Sequence, residues 1–166
     1  MANIVDNRLS LAGAPSLLDE LAAALAGSDD RGVVVVLDLN KLAPLPAAED
    51  GSDISLARRL LWGVDRNAAE ARCARPAPDR LVYEFTTDWR RPLTAVETLA
   101  SRYPTLRLEL VWEDSDAAEV GFVCFRNGRT EKTGRAIGDL NAGAKLLARL
   151  GWREHAASWR RLLADT

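Results

Sequence analysis

The chain reads as an α+β protein with a mostly antiparallel sheet and helices packed against it. Three observations predict this. Short segments alternating apolar and polar residues mark strands, as in Leu106, Leu108, Leu110 and Trp112 against Arg107 and Glu109. Segments with apolar residues at helical spacing fall between them, as in Leu17, Leu18, Leu21, Ala24 and Leu25. The 166 residues, 48% hydrophobic and 28% charged, are enough for one domain with a substantial core and are unlike a disordered chain.

The elements follow in order. The first strand is expected over Asn7–Leu11 and ends at Gly13. Pro15 suits the first turn of a helix, and Gly27 suits its end. Val33–Leu39 is a continuous, largely β-branched run, which predicts a strand buried on both faces. Pro44 and Pro46 close that segment. Ser52 and Asp53 are caps for a helix expected to reach about Cys73, with Gly63 as its weak point. RPAPD at 75–79 is a loop, and Leu81–Thr87 alternates as a strand. Pro92 starts a helix that Pro104 ends, and strands are expected over Leu106–Trp112 and Val120–Phe125. RNGRTEKTG reads as a loop before two helices near 140–150 and 152–163. A helix between the first two strands and another between the next two give the split βαβ order of a ferredoxin-like fold with a helical insertion. The expected organisation is a ferredoxin-like domain over 1–127, with a C-terminal two-helix extension over 128–166 packed on or beside it.

Composition and charge exclude several functions. No apolar run approaches the length of a membrane span. The first residues, MANIVDNRLS, lack a basic segment followed by an apolar one, so a cytoplasmic protein with reduced thiols at Cys73 and Cys124 is expected. Net charge is −2 but uneven: residues 1–56 carry nine acids and three bases, and residues 126–166 carry nine bases and four acids. Such a split favours self-complementary solvated faces over a nucleic-acid arm.

Together NRLSLAG at 7–13, LDLNKLAPLP at 37–46, WGVDRNA at 62–68, FTTDWRRPL at 85–93 and RYPTLRLELVWED at 102–114 resemble the YubB-type ferredoxin-like domain of bacterial plasmids and phages. Asn40, Lys41, Pro44, Pro46, Trp62, Gly63 and Asn67 match its motifs, whereas Ile4 and Val5 stand where that family has a Trp–Cys pair. The resemblance covers residues 3 to about 123 and implies a fold and a mobile-element setting, without a reaction or catalytic residues.

No catalytic set is evident. The single histidine, His155, and two distant cysteines make no metal-ligand spacing, and no GxSxG, HExxH or phosphate-loop motif occurs. His155 lies beside the stripe Trp152–Ala156–Trp159–Leu163, which predicts packing. Asp38, Asp88, Glu113, Asp114 and Asp116 end strands, but no histidine is spaced to complete a metal site among them. No catalytic residue, metal or cofactor is therefore expected. The five tryptophans, each near charged residues, point instead to recognition, because interfaces enrich Trp and Arg. The binding residues expected are Asn40, Lys41, Trp62, Trp89, Arg90, Arg91, Trp152, Arg153, Trp159 and Arg160, with the basic tail as the preferred docking element. The function expected is a non-enzymatic protein-binding accessory factor of a mobile element, related to host defence or a toxin. Nucleic-acid binding through the C-terminal helices is the alternative, with a metal-dependent nuclease behind it. Oligomeric state is left open.

Overall fold

The computed structural model describes residues 3–29, 31–47 and 53–164. Its centre is a six-stranded antiparallel sheet of order β4-β5-β1-β6-β7-β8. The strands are β1 (Ile4–Ala12), β4 (Ala69–Ala77), β5 (Arg80–Asp88), β6 (Arg107–Asp114), β7 (Glu119–Arg126) and β8 (Arg129–Ile137). β1 lies between β5 and β6 and runs antiparallel to both, with Leu9 opposite Tyr83 on one side and Leu110 on the other. This is the double split βαβ of a ferredoxin-like fold: β5 separates β1 from β4, and β1 separates β5 from β6. β7 and β8 extend the sheet as a meander beyond it.

One face of the sheet carries α1 (Pro15–Leu25), α2 (Leu39–Leu42), α3 (Ile54–Trp62) and α4 (Leu93–Arg102). Because side chains alternate along a strand, the residues facing these helices are Val5, Leu9, Leu11, Tyr83, Phe85, Leu108, Leu110, Trp112 and Phe125. They meet Leu18, Leu21 and Leu25 of α1 and Val96 and Leu99 of α4 in the main core. The alternate residues Val111, Val120, Phe122 and Cys124 form a second core with α5 (Leu140–Arg149) and α6 (Arg153–Ala164). The two C-terminal helices thus cover the opposite face, over β6 and β7, making a third layer. Trp159 packs on Gly143 of α5, where a Cβ has no room.

Three elements depart from the sequence reading. The valine run is not a core strand: only Val34–Val35 (β3) pairs, with Gly27–Ser28 (β2), in a separate two-stranded ladder. Val34 is 81% exposed, and burial begins only at Leu37. Asp38 then turns the chain by capping α2, accepting from the Asn40 N–H, and Asn67 Nδ2 donates to the same oxygen at 2.8 Å. β-Branching favours pleated backbone wherever it occurs, and only tertiary contact decides whether a strand joins the sheet.

The helix from 54 ends at Trp62, because Gly63 takes φ +83° and closes it with a bond from its N–H to the Arg59 carbonyl. Asp53 caps its start through the N–H groups of Ser55 and Leu56, whereas Ser52 lies outside the described residues. AEARCARPA, expected as helix and loop, is β4, the second strand of the ferredoxin-like unit. It is an almost wholly exposed edge strand with two register shifts, so no hydrophobic alternation betrays it. RNGRTEKTG is likewise no loop. Asn127 and Gly128 both take positive φ, the geometry of a two-residue hairpin turn, and β8 follows. The sheet therefore runs to Ile137, beyond the boundary expected at 127.

Candidate functional site

Four of the five tryptophans lie inside. Trp62, Trp112, Trp152 and Trp159 are all buried, and three of their N–H groups have acceptors. The indole N–H of Trp62 donates to the Ala43 carbonyl at 2.7 Å, that of Trp112 to Glu119 Oε1 at 3.1 Å, and that of Trp159 to Glu113 Oε2. Arginines do stack on them, with Arg8 over Trp152, Arg58 over Trp62 and Arg91 over Trp112. These Trp–Arg pairs hold the domain together and are mostly turned inward. Arg91 also reaches Glu119 at 3.4 Å, and the Arg8 guanidinium donates to the Leu150 carbonyl, tying β1 to the tail.

Trp89 is the exception, at 57% exposed. It follows β5 and takes φ +64°, a conformation that costs a bulky residue roughly 1–2 kcal/mol. The turn that imposes it is braced: the Trp89 N–H donates to the Asn3 carbonyl at 2.7 Å, and the Thr87 hydroxyl donates to the Arg90 carbonyl at 2.6 Å. Trp89 borders an open concavity of about 420 Å³ together with Arg90, Asp88, Asp65, Arg59 and Gly63. Both of its carboxylates are paired, Asp65 with Arg59 at 3.0 Å and Asp88 with Arg66 at 3.2 Å. The helix ending there, α3, shows solvent an apolar side: Leu60 is 66% exposed, and Ile54, Leu56 and Leu61 are exposed as well.

The remaining expected binding residues scatter. Asn40 and Lys41 are exposed on α2, where Asn40 Oδ1 accepts from the Leu45 N–H at 2.8 Å and the Lys41 carbonyl accepts from Arg102 at 3.3 Å. Arg153 and Arg160 are exposed on α6, far along the chain from the Trp89 turn. The structure thus brings Trp89 and Arg90 together with the end of α3, where Trp62 is the buried last residue.

The strand-end carboxylates do not converge as a group. Asp38 is a helix cap, Asp88 pairs with Arg66, and Asp114 accepts from Asn3 Nδ2 at 2.7 Å and from the Ala117 N–H. Glu113 is different. It points to the second face of the sheet, directly opposite Asp6 across the β1–β6 pairing, and α6 lays His155 onto it, with Nδ1 2.7 Å from Glu113 Oε1. His155 also stacks on Trp152, with ring centroids 3.9 Å apart. Asp6, Glu113 and His155 each bring a ligand-type atom within 4.8 Å of the other two. Burial, then the neighbouring Glu113 carboxylate, pushes the Asp6 pKa up. Burial works against a charged His155, but the hydrogen bond and charge of Glu113, with Asp6 and Glu84, outweigh it and raise its pKa. Sequence spacing gave no sign of this trio, because 107 and 42 positions separate Asp6, Glu113 and His155. The available signal was the apolar stripe of α6, which sets His155 on the flank of the face that docks.

Residues 65–144 match the family model described as "Ferredoxin-like domain in Api92-like protein". This match begins before β4 and ends within α5, so it includes β4 and β8, two strands that the sequence reading missed. It carries the Api92-like name and not the YubB one. No curated protein matches the sequence. Among solved structures, that of a protein api92 from Yersinia pseudotuberculosis superposes with a TM-score of 0.67 over 82% of this chain and 98% of that one, at 9% identity. Identity that low speaks to fold alone. With the strand order, these likenesses establish the chain as an α+β protein with a ferredoxin-like domain similar to that of Api92-like proteins.

Proposed function

We propose that this protein is a non-enzymatic protein-binding factor that docks a partner at the Trp89 corner and along the exposed side of α3. The observation that carries the reading is Trp89 itself. It is the exposed member of a set whose other four members are buried, and it is held in an unfavourable backbone conformation by a braced turn. Backbone strain of this kind persists where surrounding structure enforces it and concentrates at sites of function. An exposed Trp with Arg90 beside it, next to a helix showing leucines to solvent, has the composition of an interface anchor and its surround. This moves the docking element from the C-terminal tail, whose tryptophans are committed to the second core.

The YubB-type resemblance supports a setting on a plasmid or phage, and hence an accessory role in the cytoplasm of a bacterial host. Among the described residues no helix is long and apolar enough to cross a membrane. Nucleic-acid binding has less support: Arg153, Arg160 and Arg161 are exposed on α6, but Trp152 and Trp159, the tail's aromatics for base stacking, are buried.

The test is co-purification from the producing cell with the wild type and with Trp89→Ala. A defined protein retained at stoichiometric yield by the wild type and lost with Trp89→Ala, at unchanged circular dichroism, supports the reading. Equal retention by both, or recovery of the chain alone, removes it.

A further inference from the structure

Asp6 and Glu113 are cross-strand neighbours on one face of the sheet, a pairing in which like charges directly opposite destabilise a ladder. Placing two carboxyl groups there, Glu113 buried and Asp6 half-buried, is unfavourable unless something positive joins them. His155 supplies a nitrogen from a third element, α6, and the three ligand-type atoms lie within 4.8 Å of one another. The group is also accessible. A concavity of about 220 Å³ opens on Asp6 and His155 and is lined further by Glu70, Arg72, Glu84 and Trp152. Glu113 lies behind Asp6 and His155, with a side chain 8% exposed that accepts from the Trp159 N–H.

We propose that Asp6, Glu113 and His155 form a binding site for a divalent transition-metal ion such as Zn²⁺ or Co²⁺. Two carboxylate oxygens and one imidazole nitrogen suit this class better than Mg²⁺ or Ca²⁺, which take oxygen ligands. At ligand distances of about 2.1 Å, neighbouring ligands of a tetrahedral shell stand about 3.4 Å apart. The 2.7 Å between His155 Nδ1 and Glu113 Oε1 opens to that, and the wider gaps, all within 4.8 Å, close to it, by side-chain rotation. The open concavity leaves room for water at the remaining positions; Glu70 adds negative charge at its mouth, where Glu84 is paired with Arg72 at 3.0 Å. Trp159 and the ring of Trp152 hold Glu113 and His155 from behind, the kind of outer support that orients metal ligands.

The site lies on the opposite side of the sheet from the main core and shares no residue with the Trp89 corner, so the two readings stand or fall separately. The experiment titrates the full chain, freed of metal by chelator and dialysis, with Co²⁺ and then Zn²⁺. The expected result is one equivalent of Co²⁺ per chain, seen as a visible absorption band with quenching of tryptophan fluorescence, and displacement by Zn²⁺. Asp6→Asn and His155→Gln should each weaken binding at least ~10-fold. Asp6→Asn has a second signature. Its amide can still donate to Glu113 and it removes the facing negative charge, so the metal-free variant should melt no lower than the wild type while losing the rise in Tm that Zn²⁺ gives the wild type. The proposal is overturned by the absence of both band and quenching at about 1 mM Co²⁺, a weak affinity of only ~4 kcal/mol. Asp6→Asn and His155→Gln binding as tightly as the wild type overturns it equally.

Discussion

Replacing Trp159 by Phe tests what holds the third layer to the sheet. The indole is fully buried in the second core, and its N–H donates to Glu113 Oε2, so the substitution removes a donor and part of a ring. An unsatisfied buried acceptor bearing charge costs roughly 1.5–3 kcal/mol. The volume lost, about 40 Å³, adds close to 1 kcal/mol at ~24 cal/mol per Å³ of cavity. The expected cost is therefore about 2.5–4 kcal/mol, a large part of the stability of an ordinary domain. Urea unfolding followed by circular dichroism reads it without depending on the tryptophan removed. The donor's share is isolated by repeating the substitution in a Glu113→Gln background, where the acceptor is already neutral. A coupling of at least about 1 kcal/mol is expected. A total cost under about 1 kcal/mol, or strict additivity, would falsify the view that Glu113 pins α6 through Trp159. Hydrogen exchange adds a second check, since weakening should concentrate in α5 and α6 if the layer lifts before the sheet opens.

Two further outcomes are expected. Trp89→Gly should leave stability unchanged within about 1 kcal/mol, since relief from φ +64° offsets glycine's greater freedom when unfolded, whereas Trp89→Val should destabilise; thermal melts that rank the two alike would remove the strain invoked for this turn. Burial, then Glu109, pushes the Cys124 thiol up to about 11. A pKa raised on folding means that the native chain holds its proton longer, so this thiol's stabilisation is complete below the unfolded value near 9 and is lost as pH rises toward 11. Unfolding free energies of wild type and Cys124→Ala should therefore converge by roughly 2–3 kcal/mol between pH 9 and 11, and parallel curves would show that the thiol is not held neutral.

The fold was legible where hydrophobic patterning reports burial on one side. β1, β5, β6 and β7 stand where alternation put them, as do α1 and α4, because each buries one face against the same core. The elements that misled bury little or bury unevenly. β4 is an exposed edge whose Ala, Arg and Glu have helical propensity, and β8 is an exposed edge rich in charge, so neither carries an apolar stripe. The valines at 33–36 carry the strongest strand propensity in the chain yet meet solvent, since the place of the second strand is taken by β4. The turn Asn127–Gly128 was the one overlooked local signal, for Asn-Gly between extended segments announces a hairpin. The candidate sites were less legible for a different reason. Trp89 was named with four other tryptophans, and nothing in composition separates an indole that packs from one that faces water. The Asp6–Glu113–His155 trio depends on the register of β1 against β6 and on the face to which α6 docks, neither of which spacing reveals.

The two edges of the sheet bear on where a partner can dock. An open six-stranded sheet offers unpaired backbone at β4 and β8, and an unprotected edge invites strand addition. Both edges here are blunted. β4 has register shifts between Ala69 and Arg72 and between Ala74 and Ala77, with Pro76 removing a donor inside the second irregularity. β8 presents Arg129, Lys132 and Arg135 to solvent and shifts register between Cys124 and Phe125 of its neighbour. Charge and irregularity at both margins disfavour recognition through main-chain pairing and leave it to side chains. The exposed large apolar residues cluster in sequence accordingly. Val33, Val34, Val36, Ile54, Leu56, Leu60, Leu61 and Trp89 belong to the segments around β3 and α3 and to the turn after β5, while only Ile4, Ile137 and Leu162 lie elsewhere among the described residues. A protein that guards its edges while leaving apolar side chains open on one helix and one strained turn separates two problems, unwanted self-pairing and wanted contact, and places them on different parts of the same fold.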